Sequence, residues 1–367
     1  MRNLARFFRR SVFIGIISTL AIKGQTQTTP VQLKLKDFAI WAGGGPANPC
    51  DSLTQGVRVS EKATIVGNVG SQQFIRFAEN LKITGNIFTG NIVFFAEKAT
   101  VTGNVTANKT ATTYTGTAIT GKMGSDFKGN LTANGKISVA SGTSTNISYV
   151  RGQVAVPAPS ATNYSGPVPG GGITNTFTLP LLPVLPNNAS FDSQVGTTTI
   201  SGTQTISPGL FKKMALSGNK TLTFNGPGNY IFNEVANTGT NKLVFSFGTT
   251  TTGTINIFII KDASWGKISV SMTGSAASSS RIYTEIHGTG SSNNGFTFDL
   301  QGPDAMPSGS YAWLGNIWAP TGGISIKNLK TQTTPHILGA IWSGKKVEIK
   351  ENLVLTYQAP ANDPNFI

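Results

Sequence analysis

The sequence predicts an all-β chain: a right-handed β-helix, or closely related β-solenoid, with a proline-rich strap between two solenoid segments. Three observations predict it. Near the C-terminal end one strand–turn–strand sentence is written twice, "WLGNIWAPTGGISIKN" from Trp313 and "ILGAIWSGKKVEIKEN" from Ile337. Gly-Asn recurs at 67, 85 and 103, a strict spacing of 18, inside "ATIVGNV", "LKITGNI" and "ATVTGNV". The composition has 43 glycines in 367 residues and only 12% charge. It still carries the regularly spaced Val, Ile, Leu and Phe that disordered chains lack. Repeats of this length are units that bury a core only when stacked.

Each segment follows in order. Residues 1–24 read as a signal peptide: "MRNLARFFRR" carries four arginines and no acid, and "SVFIGIISTLAI" is too short an apolar run to span a bilayer comfortably. Export is therefore expected, to the cell surface or the medium, with no transmembrane span once the signal is removed. Residues 25–56 are a lead-in or cap. Residues 57–153 form the first solenoid segment, with "FKGNLTANGKISV" as a looser fourth rung. Its Gly and Asn are assigned to corners, because both tolerate left-handed backbone.

Residues 154–189 hold seven of the 18 prolines, three of them at 180, 183 and 186. That spacing reads as polyproline II. Leu181, Leu182 and Leu185 between them point to a strap laid on an apolar surface. Residues 190–357 form the second segment, where "KLVFSFG" and "TINIFIIKD" are near-continuous apolar strands of the kind buried on both faces. The duplicated sentence then reads as successive coils, with Ile317, Trp318, Ile341 and Trp342 stacked as core. Residues 358–367 are a tail.

Chemistry is sparse. There are two histidines, His287 and His336, and one cysteine, Cys50, so neither an intramolecular disulfide nor a His/Cys metal cluster is expected. Glu285 and His287 share one side of a strand and form the only acid–base pair to test; the spacing reads as a partly exposed strand pair at a corner. Asp299 and Asp304 read as turn formers. The other acids are scattered singly, unlike the facing carboxylates a glycosidase needs. No enzymatic activity, cofactor or metal is expected.

The net charge of +14 falls to +9 once Arg2, Arg6, Arg9, Arg10 and Lys23 leave with the signal. A basic surface favours anionic glycans, with Lys345 and Lys346 as a corner patch and Tyr311 and Trp313 as exposed aromatics. Nucleic acid is excluded, since no basic run is interleaved with aromatics. Thr pairs at "TLTF" (Thr221, Thr223), "TTTI" and "TFTL" leave an ice-binding or neutral-carbohydrate surface as the alternative.

The strings "ISPGLFKKMALSGNKTLTFNGPGNYIF", "GTINIFIIKD", "YAWLGNIWAPTGGISI" and "LGAIWSGKKVEI" resemble the β-helical regions of large surface proteins of Bacteroidota and other bacteria. The Gly-Asn rungs are similar to bactofilin-type and adhesin-type solenoids. The cadence at "GNYIF" is also similar to ice-binding β-helices. The resemblance covers about residues 57–357. It implies a stiff, non-enzymatic scaffold or adhesin module, with self-association or further domains of a longer chain among its partners.

Overall fold

The computed structural model describes residues 30–44, 56–109, 116–291, 293–332 and 334–361. The signal-peptide reading of residues 1–24 and Cys50 lie outside the described residues. Almost every strand belongs to one parallel sheet that coils on itself as a β-solenoid without closing into a barrel. Strand alternation dictates the interior. Along one ladder Ile257, Thr284, Ile317, Ile341, Ile40, Val69, Ile87, Val105, Leu131 and Val154 follow one another rung by rung. All are buried. Their neighbours in sequence point out of the coil.

That ladder contains the main departure from the expected layout. Phe38–Ala42, inside the stretch read from sequence as a lead-in or cap, forms instead the coil that joins the two segments. Ile341, Trp342 and Ser343 of the last Trp coil pair with Ile40, Trp41 and Ala42 of the first coil. Lys346–Ile349 pairs with Gly56–Val59, and Val354–Thr356 pairs with Thr64–Val66. In space the stack begins near residue 199 and runs to residue 356. It then continues from residue 38 to residue 174. The pairing passes residue 153, because Val154–Ala155, Tyr164–Ser165 and Ile173–Thr174 each add to a face.

Three faces wrap the core. The first runs through Gly209–Met214, Trp313–Ala319, Phe38–Ala42 and Leu131–Ala133 to Ile173–Thr174, thirteen strands in all. At about 4.8 Å per rung this is roughly 58 Å of stack. The second includes Thr221–Asn225, Thr240–Ser246, Val354–Thr356 and Lys82–Thr84. The third includes Phe296–Gln301, Gly323–Lys327, Gly56–Val59 and Phe74–Phe77.

This order explains the strap. The chain finishes its upper half at Thr174 and must return to the bottom of the stack to begin at Thr199. Residues 175–198 make that return. Extended polyproline II advances about 3.1 Å per residue, which supplies roughly 74 Å for a span near 60 Å. The strap is fastened as it descends: Leu33 N donates to Leu181 O (3.0 Å), Gln72 Nε2 to Pro183 O (2.9 Å) and Ala189 N to Glu285 Oε1 (2.8 Å).

The corners follow expectation at Gly67 and Gly85, with φ of 132° and 156°, and depart from it at the asparagines. Left-handed backbone falls at Lys62, Asn80 and Lys98, 18 residues apart, and not at the asparagines of the Gly-Asn pairs. Those asparagines form a side-chain ladder. Asn68 Oδ1 accepts from Asn86 N, Asn86 Oδ1 from Asn104 N, Asn104 Oδ1 from Asn130 N and Asn130 Oδ1 from Gln153 N, each at 2.8 Å. Gly85 is required for closeness as well as for its φ of 156°, since a Cβ there would run into the carbonyl of Gly67 on the rung below.

Candidate functional site

The strap face brings titratable and aromatic side chains together. Its outward row reads Leu210, Ile231, Phe258, Glu285, Trp318, Trp342, Trp41, Gly70 and Phe88, one residue per rung. Leu182, Leu185, Ala189 and Phe191 of the strap pack on this row and make a second apolar layer outside the coil. Gly70 lets the layer close, because the rings of Trp41 and Phe38 occupy the space a Cβ would fill.

Glu285 is the one carboxylate in that layer, 2% exposed, and an unpaired charge there would be prohibitive. It is fully engaged. Tyr283 Oη donates to Oε2 (2.8 Å), while Ala189 N (2.8 Å) and His287 Nε2 (2.7 Å) contact Oε1. The other imidazole nitrogen, Nδ1, lies 2.6 Å from Asp192 Oδ1 on the strap. Phe191 stacks on the imidazole with ring centroids 4.1 Å apart.

Burial alone would lower the His287 pKa. The hydrogen bonds and charges of Glu285 and Asp192 outweigh burial and hold it above its ordinary value of 6.5. With a carboxylate oxygen on each nitrogen, both nitrogens act as donors, which is the imidazolium form. Tyr283 is pushed up by burial and by the adjacent Glu285 charge. This cluster ties strap to stack. Its acid and base face each other and the strap, not a cleft. The two carboxylates sit on opposite ring nitrogens, without a common point between them. Among the described residues no group of three His, Cys, Asp or Glu side chains is arranged to hold a metal ion.

The expected sites are placed as follows. Glu285 and His287 do share one side of a strand, but under the strap and buried, not partly exposed at a corner. Ile317 and Ile341 are register partners inside the coil. Trp318 and Trp342 are also register partners and buried, but they point outward into the strap layer. Adjacent strand residues face opposite ways, so Ile317 inside forces Trp318 outside.

Trp313 is not an exposed aromatic. It is fully buried against Trp265 (4.8 Å) and Phe298 (5.1 Å). Tyr311 is half-buried, its backbone bridging Val270. Lys345 is exposed, whereas Lys346 is tied down, with Nζ 2.6 Å from Asn294 O and over the Phe296 ring at 3.9 Å. Asp299 pairs with Lys327 and Asp304 with Lys267. Thr221 and Thr223 point outward on the second face, Thr223 in a row with Thr205, Val244 and Ser271.

Two groups were missed by sequence reasoning. One is the third copy of the Trp sentence, "AIWAG" from Ala39, which answers "AIWSG" from Ala340 and identifies the coil that joins the halves. The other is Asp192, a strap residue with no pattern of its own. No family model matches the chain, and no curated protein or solved structure matches it either. Among the described residues no helix is long and apolar enough to cross a membrane.

Proposed function

We propose that this chain is an exported, non-enzymatic scaffold or adhesin module of the cell surface, a stiff rod whose outer faces meet anionic glycan. The carrying observation is the use made of its titratable groups: among the described residues the buried acid–base cluster fastens the strap, and Asp299, Asp304 and Asp126 are each paired to a neighbouring cation. A rod of stacked rungs gives long parallel rows of side chains, which suit an extended polymer better than a small substrate. The test is a glycan and whole-cell binding screen of the purified mature chain, repeated at several-fold higher sodium chloride. Salt-weakened binding to acidic glycan supports the reading, because exposed charges are screened beyond about 8 Å at physiological salt. Turnover of any glycan that disappears in Glu285→Gln would overturn it.

A second reading rests on the second face. Thr205, Thr223, Val244 and Ser271 form one outward row, flanked by Thr221 and Lys242 and by Asn225, Ser246 and Thr273. This small, nearly uncharged surface suits ice or a neutral polysaccharide. Salt-insensitive binding lost in a Thr221→Val, Thr223→Val variant would favour it.

A further inference from the structure

The third face changes character along the stack. Its outward row runs Asp299, Ser325, Glu348, Arg58, Arg76, Phe94 and Thr120, in register from rung to rung. The lower acids are occupied, Asp299 by Lys327 at 3.0 Å and Glu348 by Lys350 at 3.7 Å. Above them the row turns cationic. Among the described residues no carboxylate reaches the guanidinium of Arg58 or Arg76. Arg76 stands 5.3 Å from the centroid of the Phe94 ring, and Lys122 Nζ stands 6.0 Å from it. Arg76 and Lys122 are exposed, and Arg58 and Phe94 half-buried.

We infer that Arg58, Arg76 and Lys122, ordered around Phe94, form a binding row for a linear acidic polysaccharide laid along the rod axis. The inference rests on the adhesive reading above and names its site. A guanidinium held over a ring face keeps N–H groups free for a carboxylate or sulfate, and that ordering lowers the entropy lost on binding. Register pairing spaces the two arginines by one rung, about 4.8 Å, so the row offers repeating positive charge to a polymer with repeating negative charge. Beside it Ser60, Ala78 and Ala96 continue the same rungs with small side chains and leave room for a chain to lie. The carboxylates of Glu61, Glu79 and Glu97 stand at the next corner, each beside a left-handed residue, Lys62, Asn80 or Lys98. They mark the edge of the cationic row on that side. Nucleic acid fits less well, because Phe94 is flanked by cations and no second ring on the row stacks a base.

The test measures binding of the full mature chain to immobilised polygalacturonate, a sulfated glycan, neutral dextran and single-stranded DNA. Arg58→Glu with Arg76→Glu should weaken polygalacturonate binding at least about tenfold, equivalent to roughly 1.4 kcal/mol. Lys345→Glu, at an exposed lysine outside the row, should change it less than about twofold, within the range of exposed charges. Arg58→Gln with Arg76→Gln, which keeps size without reversing charge, should fall between and melt like the parent. The sulfated arm separates sulfate from carboxylate as the preferred anion; either one lost on arginine replacement supports the row. Polyanion binding that survives both arginine variants would overturn the site and leave the adhesive reading standing. No binding to any glycan by the parent would overturn the adhesive reading itself. Equal loss in the arginine and lysine variants, or tighter binding to DNA, would reduce the row to general charge attraction and overturn it.

Discussion

Two histidines sit in opposite electrostatic settings, and each can be followed alone. His287 is held above 6.5 by Glu285 and Asp192 against the cost of burial. Its stabilisation is therefore full below pH 6.5 and is lost as pH rises through the higher folded value. His336 is lowered by burial. Its Nδ1 accepts from Val354 N (3.0 Å) and its Nε2 donates to Lys330 O (2.7 Å), an arrangement only the neutral ring can make. Its stabilisation is present above pH 6.5 and is lost as pH falls from there towards the lowered folded value. The melting-temperature deficit of His287→Asn should thus be largest in acid and shrink as pH rises. That of His336→Asn should be largest at neutral pH and shrink on acidification. Parallel curves for the two variants would refute both assignments. In the coil, Ile341→Ala removes a fully buried side chain between Ile317 and Ile40 and should cost about 2–5 kcal/mol by denaturant titration.

At the scale of elements, the strap is a second core as well as a connection. Glu285→Ala would leave the His287 ring, the Tyr283 hydroxyl and the Ala189 N–H without their shared acceptor. Removing one partner from a buried charged cluster costs about 3–5 kcal/mol. Loss of the fastener should appear first as cleavage within residues 175–198 by a dilute protease, while cleavage of the rungs lags. Simultaneous loss of both would mean that strap and stack unfold as one unit. Much of this element was legible in the sequence: prolines at 180, 183 and 186 with leucines between them already require an extended segment on an apolar surface. What lay under it was not. The Ile-Trp pairs read as core, and both residues are buried, but alternation sends them to different layers, and only the strap's path reveals the outer one. The Glu285–His287 pair was legible as a same-side pair. Its burial depends on Asp192 and Ala189, nearly 100 residues distant and brought there by topology alone. Exposure of Trp313 was misjudged: Trp265 and Phe298, both remote in sequence or across a loop, enclose it.

The order of coils in the whole molecule makes the N-terminal and C-terminal ends of the described fold neighbours in the middle of the rod. Tyr357 Oη donates to Lys36 O, and Trp342 Nε1 donates to Phe38 O at 2.8 Å. A permuted chain can therefore begin near residue 196, run through residue 361, pass by a short flexible linker to residue 30 and finish near residue 174. Every rung pairing of the parent is available to it, and each coil then follows its spatial neighbour in sequence. If the strap served only to return the chain, this strapless permutant would be as stable and soluble as the parent. The outward row argues otherwise, because Trp41, Trp318, Trp342 and Phe258 would lie bare on one face with Glu285 and His287 among them. Burying a side chain of that size is worth about 1.5–3 kcal/mol each, and a contiguous bare patch promotes association. The strapless permutant should keep the parent's far-ultraviolet β signature, melt markedly lower and self-associate in analytical ultracentrifugation. A second permutant that carries residues 175–195 after residue 174 should regain most of the loss, since the strap can then descend the same face without closing the chain. A strapless permutant that matched the parent in melting temperature and stayed monomeric would show that the strap is a connector alone.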